Sequence, residues 1–98
     1  MATLTVVYPK HEGAKFDSAY YTATHMPLAA EVWTPHGYLG GEVLYPADDT
    51  QAYAAITLLR FADQAAIDAS MGAERTGEVV ADMANFTDIA PVLYRAAD

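Results

Sequence analysis

Residues 16–28 read Phe-Asp-Ser-Ala-Tyr-Tyr-Thr-Ala-Thr-His-Met-Pro-Leu, and their spacing predicts an amphipathic helix with a histidine on its apolar face. At about 100° per residue, Tyr21, His25, Leu28 and Val32 fall within roughly 60° of one another around the helix axis. This spacing places the imidazole of His25 on the core side of the helix, beside the phenol of Tyr21. Because histidine exchanges a proton near neutral pH, His25 is a candidate catalytic base.

The segments around this helix predict the element order βαββαβ. We expect strands at 2–8, 38–45, 52–61 and 88–95, a helix at 17–33 capped by Asp17, and helices at 63–71 and 76–84. Pro27 should interrupt the first helix, and Pro91 should place the last strand at an edge or a bulge. Gly40 and Gly41 indicate a bulge or a close backbone approach in the second strand.

This order is the ferredoxin-like α+β pattern, an antiparallel sheet with helices on one face. The third strand is apolar on both faces, with Ile56 and Leu58 on one and Ala55 and Leu59 on the other. The second face needs a cover, and the chain has no spare helix to provide it. Two subunits packed sheet to sheet would cover it. We therefore predict one domain over residues 1–98 that forms a homodimer, a dimeric α+β barrel.

Composition limits the partners and the compartment. The 98 residues carry 13 acidic and 5 basic side chains, a net charge of −8, which argues against nucleic acid and anionic membrane surfaces. No cysteine is present, so disulfide and thiolate chemistry are excluded. There is no apolar run long enough for a membrane span and no signal-peptide pattern, and we expect a cytoplasmic protein.

Two groups of residues, one near each end, resemble the EthD family, named for a small protein associated with bacterial degradation of ethyl tert-butyl ether. They are Phe16-Asp17, Tyr20-Tyr21 and His25-Met26-Pro27-Leu28, then Asn85-Phe86-Thr87-Asp88-Ile89 and Pro91-Val92. The likeness spans nearly the whole chain. It implies a homodimeric α+β barrel. Members of the family are often described as reductases or oxidoreductases.

The wider superfamily that this resemblance implies includes cofactor-independent monooxygenases, muconolactone isomerases and haem-degrading proteins. In the lactone-isomerising relatives, a histidine at the position of His25 and a tyrosine near that of Tyr38 face the cavity. Many members carry a further histidine in the third strand, where this chain has Leu58.

The candidate site residues follow from the helix face and the resemblance. We predict His25 and Tyr38 as catalytic residues and, as substrate-binding residues, Tyr8, Tyr21, Val32, Asn85 and Phe86. Each has a structural alternative. His25 could be a core histidine bonded to a carbonyl or a tyrosine, Asn85 could fix a turn, and the aromatic residues could be packing.

The sequence carries no glycine-rich phosphate loop, no metal-ligand spacing and no nucleophilic serine motif, so we expect no cofactor and no metal. The remaining chemistry is proton transfer. We predict a cofactor-independent oxidoreductase, monooxygenase or isomerase of catabolism, in which His25 acts on a small apolar aromatic, lactone or ether-derived substrate. The alternative is a non-catalytic protein that binds a small molecule or haem in the barrel cavity.

Overall fold

In the computed structural model, which describes residues 1–98, one antiparallel sheet carries helices on one of its faces. The elements are β1 (Ala2–Pro9), α1 (Ser18–Tyr20), a π-helix (Tyr21–His25), α2 (Met26–Trp33), β2 (Tyr38–Leu44), β3 (Tyr53–Phe61), α3 (Gln64–Met71), α4 (Thr76–Asp82) and β4 (Val92–Arg95), with 3-10 turns at Thr34–His36 and Met83–Asn85. The strand order is β2-β3-β1-β4. The ferredoxin-like α+β prediction is confirmed. None of these helices has the length and apolarity that crossing a bilayer requires.

Local sequence signals set where the helices begin. The Asp17 carboxylate accepts a hydrogen bond from the Tyr20 amide at 3.0 Å, and the Asp63 carboxylate accepts one from the Ala66 amide at 2.8 Å. Both predicted N-caps are therefore present, each satisfying an amide that the first helical turn leaves free.

The predicted interruption at Pro27 takes the form of a π-helix rather than a break. Proline lacks an amide hydrogen, and its ring crowds the carbonyl four residues earlier, here that of Ala23. The helix widens just before it, and the Met26 amide donates to the carbonyl of Tyr21, five residues back. Within this wide turn Tyr21 and His25 are both buried, so the π-helix aims both side chains at the sheet.

The glycine and proline predictions for the sheet are confirmed, but the predicted start of the last strand is not. The register of β2 shifts between Tyr38 and Gly40, and a Cβ on Gly41 would lie 2.7 Å from the Tyr38 hydroxyl, so both the bulge and the close approach are confirmed. The edge position of the last strand is confirmed as well. Its predicted start at residue 88 is wrong, because β4 begins at Val92. Pro91 has no amide hydrogen to donate to a neighbouring strand. Asp88, three residues earlier, is held outside the sheet, where its carboxylate accepts a hydrogen bond from the Lys15 amide at 2.9 Å.

The sheet face opposite the helices is uncovered and apolar. One row of paired residues crosses all four strands in the order Leu44, Ile56, Val7 and Val92. At its ends, Val92 is 55% exposed and Leu44 is 48% exposed. Tyr94, in the neighbouring row, is 66% exposed. The chain by itself leaves this apolar surface in contact with water.

Candidate active site

A largely apolar cavity of about 310 Å³ lies between the sheet and the helices. Of its 16 lining residues 13 are hydrophobic, and none is Lys, Arg, Asp or Glu. Leu4, Val6 and Tyr8 of β1 line the sheet side. Val80 and Leu93, which are 61% and 56% exposed, line it where it meets solvent, between α4 and β4.

His25 lines this cavity and is paired with a carboxylate. Its Nδ1 lies 2.8 Å from Oδ2 of Asp82, and both side chains are almost fully buried, at 7% and 11% exposure. A carboxylate can only accept, so Nδ1 carries the hydrogen and donates it. The opposite nitrogen, Nε2, makes no hydrogen bond with the protein, so in the neutral imidazole its lone pair is free. This is the arrangement of a histidine base oriented by a carboxylate.

Asp82 is itself held by two further donors. Its Oδ1 accepts from the Tyr20 hydroxyl at 2.6 Å and from the Asn85 side-chain amide at 3.0 Å. Burial alone would raise the pKa of Asp82, but the hydrogen bonds from Tyr20, Asn85 and His25 outweigh it and hold that pKa below its ordinary value. Asp82 is therefore an anion at neutral pH.

Aromatic rings fix the plane of the imidazole. The ring of Tyr21 stacks on that of His25 with centroids 5.3 Å apart and planes 19° apart, and the Phe86 ring lies at 4.5 Å. Tyr21 is anchored in turn, because its hydroxyl bonds to the hydroxyl of Thr57 at 2.6 Å. The imidazole thus has little freedom to turn away from Asp82.

Two phenols on the cavity wall remain neutral. Burial raises the pKa of Tyr21, and it raises that of Tyr8 still more strongly, with the neighbouring Tyr21 adding to the effect. Both hydroxyls therefore keep their hydrogens at neutral pH.

The structure brings five of the predicted site residues together. Tyr8, Tyr21 and His25 line the cavity. Phe86 packs directly behind the imidazole, and Asn85 bonds to the carboxylate that orients it. The alternative in which His25 bonds to a carbonyl or a tyrosine is not what the structure has, because its partner is a carboxylate.

Two predicted residues are not brought to this cavity. Tyr38 packs against Phe61 and Trp33, with centroids 5.4 and 6.4 Å away. It begins β2, the edge strand farthest from β4, whereas the sheet side of the cavity is formed mainly by β1, with one residue each from β3 and β4 and none from β2. Val32 lies about two helical turns beyond His25 and belongs to the main hydrophobic core.

Leu58, at the position where the resemblance implied a further histidine, is not among the residues that line the cavity. It pairs with Thr5 and Glu42, and its immediate neighbours in β3, Thr57 and Leu59, are the residues that face the helices. A leucine at this position is therefore part of the open sheet face and leaves the surroundings of His25 unchanged.

Sequence reasoning missed Asp82 and Tyr20. Asp82 is 57 residues from His25, and in the sequence it is one of 13 acidic residues without a distinguishing motif. Two signals could have found it. Asp82 and Asn85 are three apart and so share a helix face, and the predicted topology puts the first and last helices side by side on the sheet.

No three His, Asp or Glu side chains come together in a way that could hold a metal ion. The His25–Asp82 pair offers one unpaired nitrogen and a carboxylate that already accepts three hydrogen bonds. What the arrangement provides chemically is a proton acceptor beside an apolar cavity.

Acidification should reveal the contribution of Asp82 to stability. Its pKa is depressed in the folded protein, so it stabilises the fold above the ordinary aspartate pKa, and this stability is lost as the pH falls through the folded-state pKa. We expect the melting temperature of the wild type to exceed that of Asp82→Asn at pH 7, with the gap closing toward pH 3. Asp49→Asn, in an exposed loop, is the matched control and should show no such gap. A difference in melting temperature between the wild type and Asp82→Asn that did not change with pH would contradict the stabilisation by ionised Asp82.

The fold, with its cavity between sheet and helices, defines an α+β protein of the dimeric α+β barrel superfamily. An EthD-like protein from Ralstonia eutropha JMP134 superposes with a TM-score of 0.82, at 31% identity over 97% of this chain and 88% of the other. The chain belongs to the EthD family.

More distant structures share the fold alone. An ethyl tert-butyl ether degradation family protein from Bacillus halodurans C-125 has a TM-score of 0.75 at 17% identity, covering 100% of this chain and 98% of its own. A cofactor-independent oxygenase from Streptomyces nogalater has a TM-score of 0.63 at 11% identity, covering 100% and 96%. No protein-family profile matches the chain, and no functionally curated protein matches it significantly.

Proposed function

We propose that this EthD-family protein is a cofactor-independent oxidoreductase, monooxygenase or isomerase that moves a proton on a small apolar substrate. The single observation that carries the proposal is the buried His25–Asp82 pair on the wall of an apolar cavity. A buried carboxylate that orients a histidine and leaves Nε2 unpaired is the arrangement that general-base catalysis requires.

The chemistry follows from the two ring nitrogens. A substrate fills the cavity, and Nε2 of His25 takes a proton from it. The charge that develops on the imidazole is stabilised by the anionic Asp82 at 2.8 Å. The substrate anion then either regains a proton at another carbon, which is isomerisation, or reacts with dioxygen, which is oxygenation. The Streptomyces nogalater oxygenase of the same fold supports the second course as compatible with this architecture.

The alternative, a non-catalytic binding protein, is favoured by the composition of the cavity. Thirteen hydrophobic lining residues suffice to hold an apolar ligand without any reaction. Haem fits this wall poorly as such a ligand. Its two propionates need cationic or hydrogen-bonding partners, and no Lys or Arg lines the cavity.

A panel of neutral aromatic ketones and phenols, unsaturated lactones and tert-butyl ethers tests the proposal. Each compound is incubated with the protein in aerated D2O and followed by NMR for isotope exchange and for new products, while thermal shifts report binding. Exchange or conversion that the wild type accelerates and His25→Gln does not supports the proposal. Thermal shifts without any exchange or conversion would instead favour the binding protein.

We also propose that the protein is a homodimer joined through the open sheet face. The apolar row of Leu44, Ile56, Val7 and Val92 is the kind of continuous surface that soluble monomers rarely expose. A second copy would cover it and complete the barrel, with an interface expected to exceed about 1,000 Å².

Substituting Ile56→Glu, near the middle of that row, should convert the dimer to a monomer. Each copy would bring a glutamate into the apolar interface, in a protein that already carries a net charge of −8. Light scattering on a dilution series should give twice the chain mass of 10.5 kDa for the wild type and 10.5 kDa for the variant. Ala69→Glu, on the exposed side of α3, makes the same charge change and should remain dimeric. A monomeric wild type at micromolar concentration would overturn the dimer.

A further inference from the structure

The Tyr8 hydroxyl lies on the cavity wall, and its one neighbour among the hydrogen-bonding groups of the protein is the Tyr21 hydroxyl. Tyr8 is only 2% exposed, and Tyr21, beside it, has its own hydroxyl engaged with Thr57 at 2.6 Å. Burial, the nearby Tyr21 and a side-chain hydrogen bond with Tyr21 raise the pKa of Tyr8, and no other protein group bonds to the Tyr8 hydroxyl. Because this hydroxyl lines the cavity, it can turn its hydrogen from Tyr21 to an atom of a ligand.

Tyr8 and His25 both line the cavity. Both rings pack against that of Tyr21, at centroid distances of 5.6 and 5.3 Å. The other polar groups of the wall are already satisfied within the protein, since the Trp33 indole donates to the Thr76 hydroxyl, which donates onward to a carbonyl. A ligand therefore meets one unpaired ring nitrogen, Nε2 of His25, and one hydroxyl whose only protein neighbour is Tyr21, that of Tyr8.

The rest of the wall defines the charge and shape of the ligand. No cationic side chain lines the cavity, and the anionic Asp82 lies directly behind His25, so an anionic ligand would be buried without compensation. Three of the four methionines of the chain, Met26, Met71 and Met83, line the wall. Thioethers contact aromatic rings favourably and adapt to their shape.

We propose, on the basis of the proposed function, that the substrate is a neutral aromatic carbonyl compound and that Tyr8 donates a hydrogen bond to its carbonyl oxygen. Nε2 of His25 breaks a C–H bond next to the carbonyl and takes the proton. The electron pair of that bond forms the C=C bond of an enolate, and the carbonyl π electrons move onto oxygen. The negative oxygen is stabilised by the Tyr8 hydrogen bond, which makes Tyr8 a catalytic residue.

Tyr8 suits this part because it donates without giving up its own proton. Burial raises the pKa of its phenol, so the hydroxyl stays protonated throughout the range in which an enolate would form. Donors placed where negative charge develops contribute strongly in a site that excludes water, and removal of one typically costs about 10²–10³-fold in rate.

The probe is 2-tetralone, a neutral ketone fused to an aromatic ring, whose exchange of C1 hydrogens for deuterium in D2O is followed by NMR. We expect the wild type to accelerate exchange, Tyr8→Phe to slow it about 10²-fold, and Tyr53→Phe, in which an exposed tyrosine is changed, to leave it unaltered. Phenylalanine keeps the ring contacts of Tyr8 and removes only its interaction with the Tyr21 hydroxyl, which stays bonded to Thr57, so the melting temperature should change little. Tetralin, the same skeleton without oxygen, should bind Tyr8→Phe and the wild type equally.

The outcomes separate this inference from the proposed function. Exchange that needs His25 but is equal in Tyr8→Phe and the wild type would overturn the part given to Tyr8 and leave the proposed function standing. If the wild type accelerated exchange of a tetralone with a ring carboxylate as much as that of 2-tetralone, the inference that the substrate is neutral would be wrong. If the wild type did not accelerate exchange of 2-tetralone, the inference of a carbonyl substrate would be wrong. The proposed function would be contradicted only if every other compound of the panel failed as well.

Discussion

His25→Gln is expected to lower the rate of proton transfer by about 10²–10⁴-fold, the usual contribution of a positioned general base. Glutamine approximates the size and polarity of histidine, but its amide cannot take a proton near neutral pH. It can still accept or donate beside Asp82, so the buried carboxylate keeps a partner. We therefore expect the variant to fold, to dimerise and to bind apolar ligands while losing turnover.

The measurement is the initial rate of exchange or conversion for the compounds that the wild type processes in the panel, together with thermal shifts for binding. His36→Gln is the matched control, because His36 is an exposed histidine in a 3-10 turn remote from the cavity lining. It should retain the wild-type rate. If His25→Gln lost stability but retained the full rate, His25 would be a packing residue.

Asp82→Asn should lower the rate nearly as much, although Asp82 touches no substrate and acts only by positioning His25. In the Ser-His-Asp triad of serine proteases, the corresponding change leaves the geometry intact and costs about 10⁴-fold, because the histidine adopts the wrong tautomer. The same reasoning holds for this pair. An asparagine amide can donate to Nδ1, which moves the imidazole hydrogen to Nε2 and removes the free lone pair from the cavity side.

The experiment must separate positioning from packing. Binding of tetralin should be equal in Asp82→Asn and the wild type, since the cavity wall contains no atom of Asp82, while the rate of proton transfer falls. Asp49→Asn, in an exposed loop, is the control for loss of one negative charge and should leave the rate unchanged. A rate for Asp82→Asn within a few-fold of the wild type would show that His25 does not depend on its carboxylate.

Much of the fold could be predicted because its determinants are local. Asp17 and Asp63 cap helices through bonds to residues three positions away, and the alternating apolar residues of β3 place one set toward the helices and one toward the open face. The boundary of β4 could not be predicted in this way. Its start depends on Asp88, whose carboxylate is held by the amide of Lys15, 73 residues earlier.

The same distinction between local and long-range determinants applies to the candidate site. The spacing of Tyr21 and His25 on one helix face is a property of the sequence, and the structure has both residues buried on the cavity wall. The partner of His25 is not such a property, because Asp82 comes from another helix and only the packing of the two helices brings their side chains to 2.8 Å. The place of Tyr38 was likewise decided by strand order, which puts β2 at the opposite edge from the cavity.

The sequence by itself determined the element order, the helix caps, the inward face that bears His25 and the apolar character of both sheet faces, because each depends on residues a few positions apart. The tertiary structure alone decided that His25 pairs with a carboxylate, that the Tyr8 hydroxyl lines the cavity beside Tyr21, and that the cavity lies chiefly over β1. These properties depend on distances between residues far apart in the chain, which periodicity and spacing do not encode.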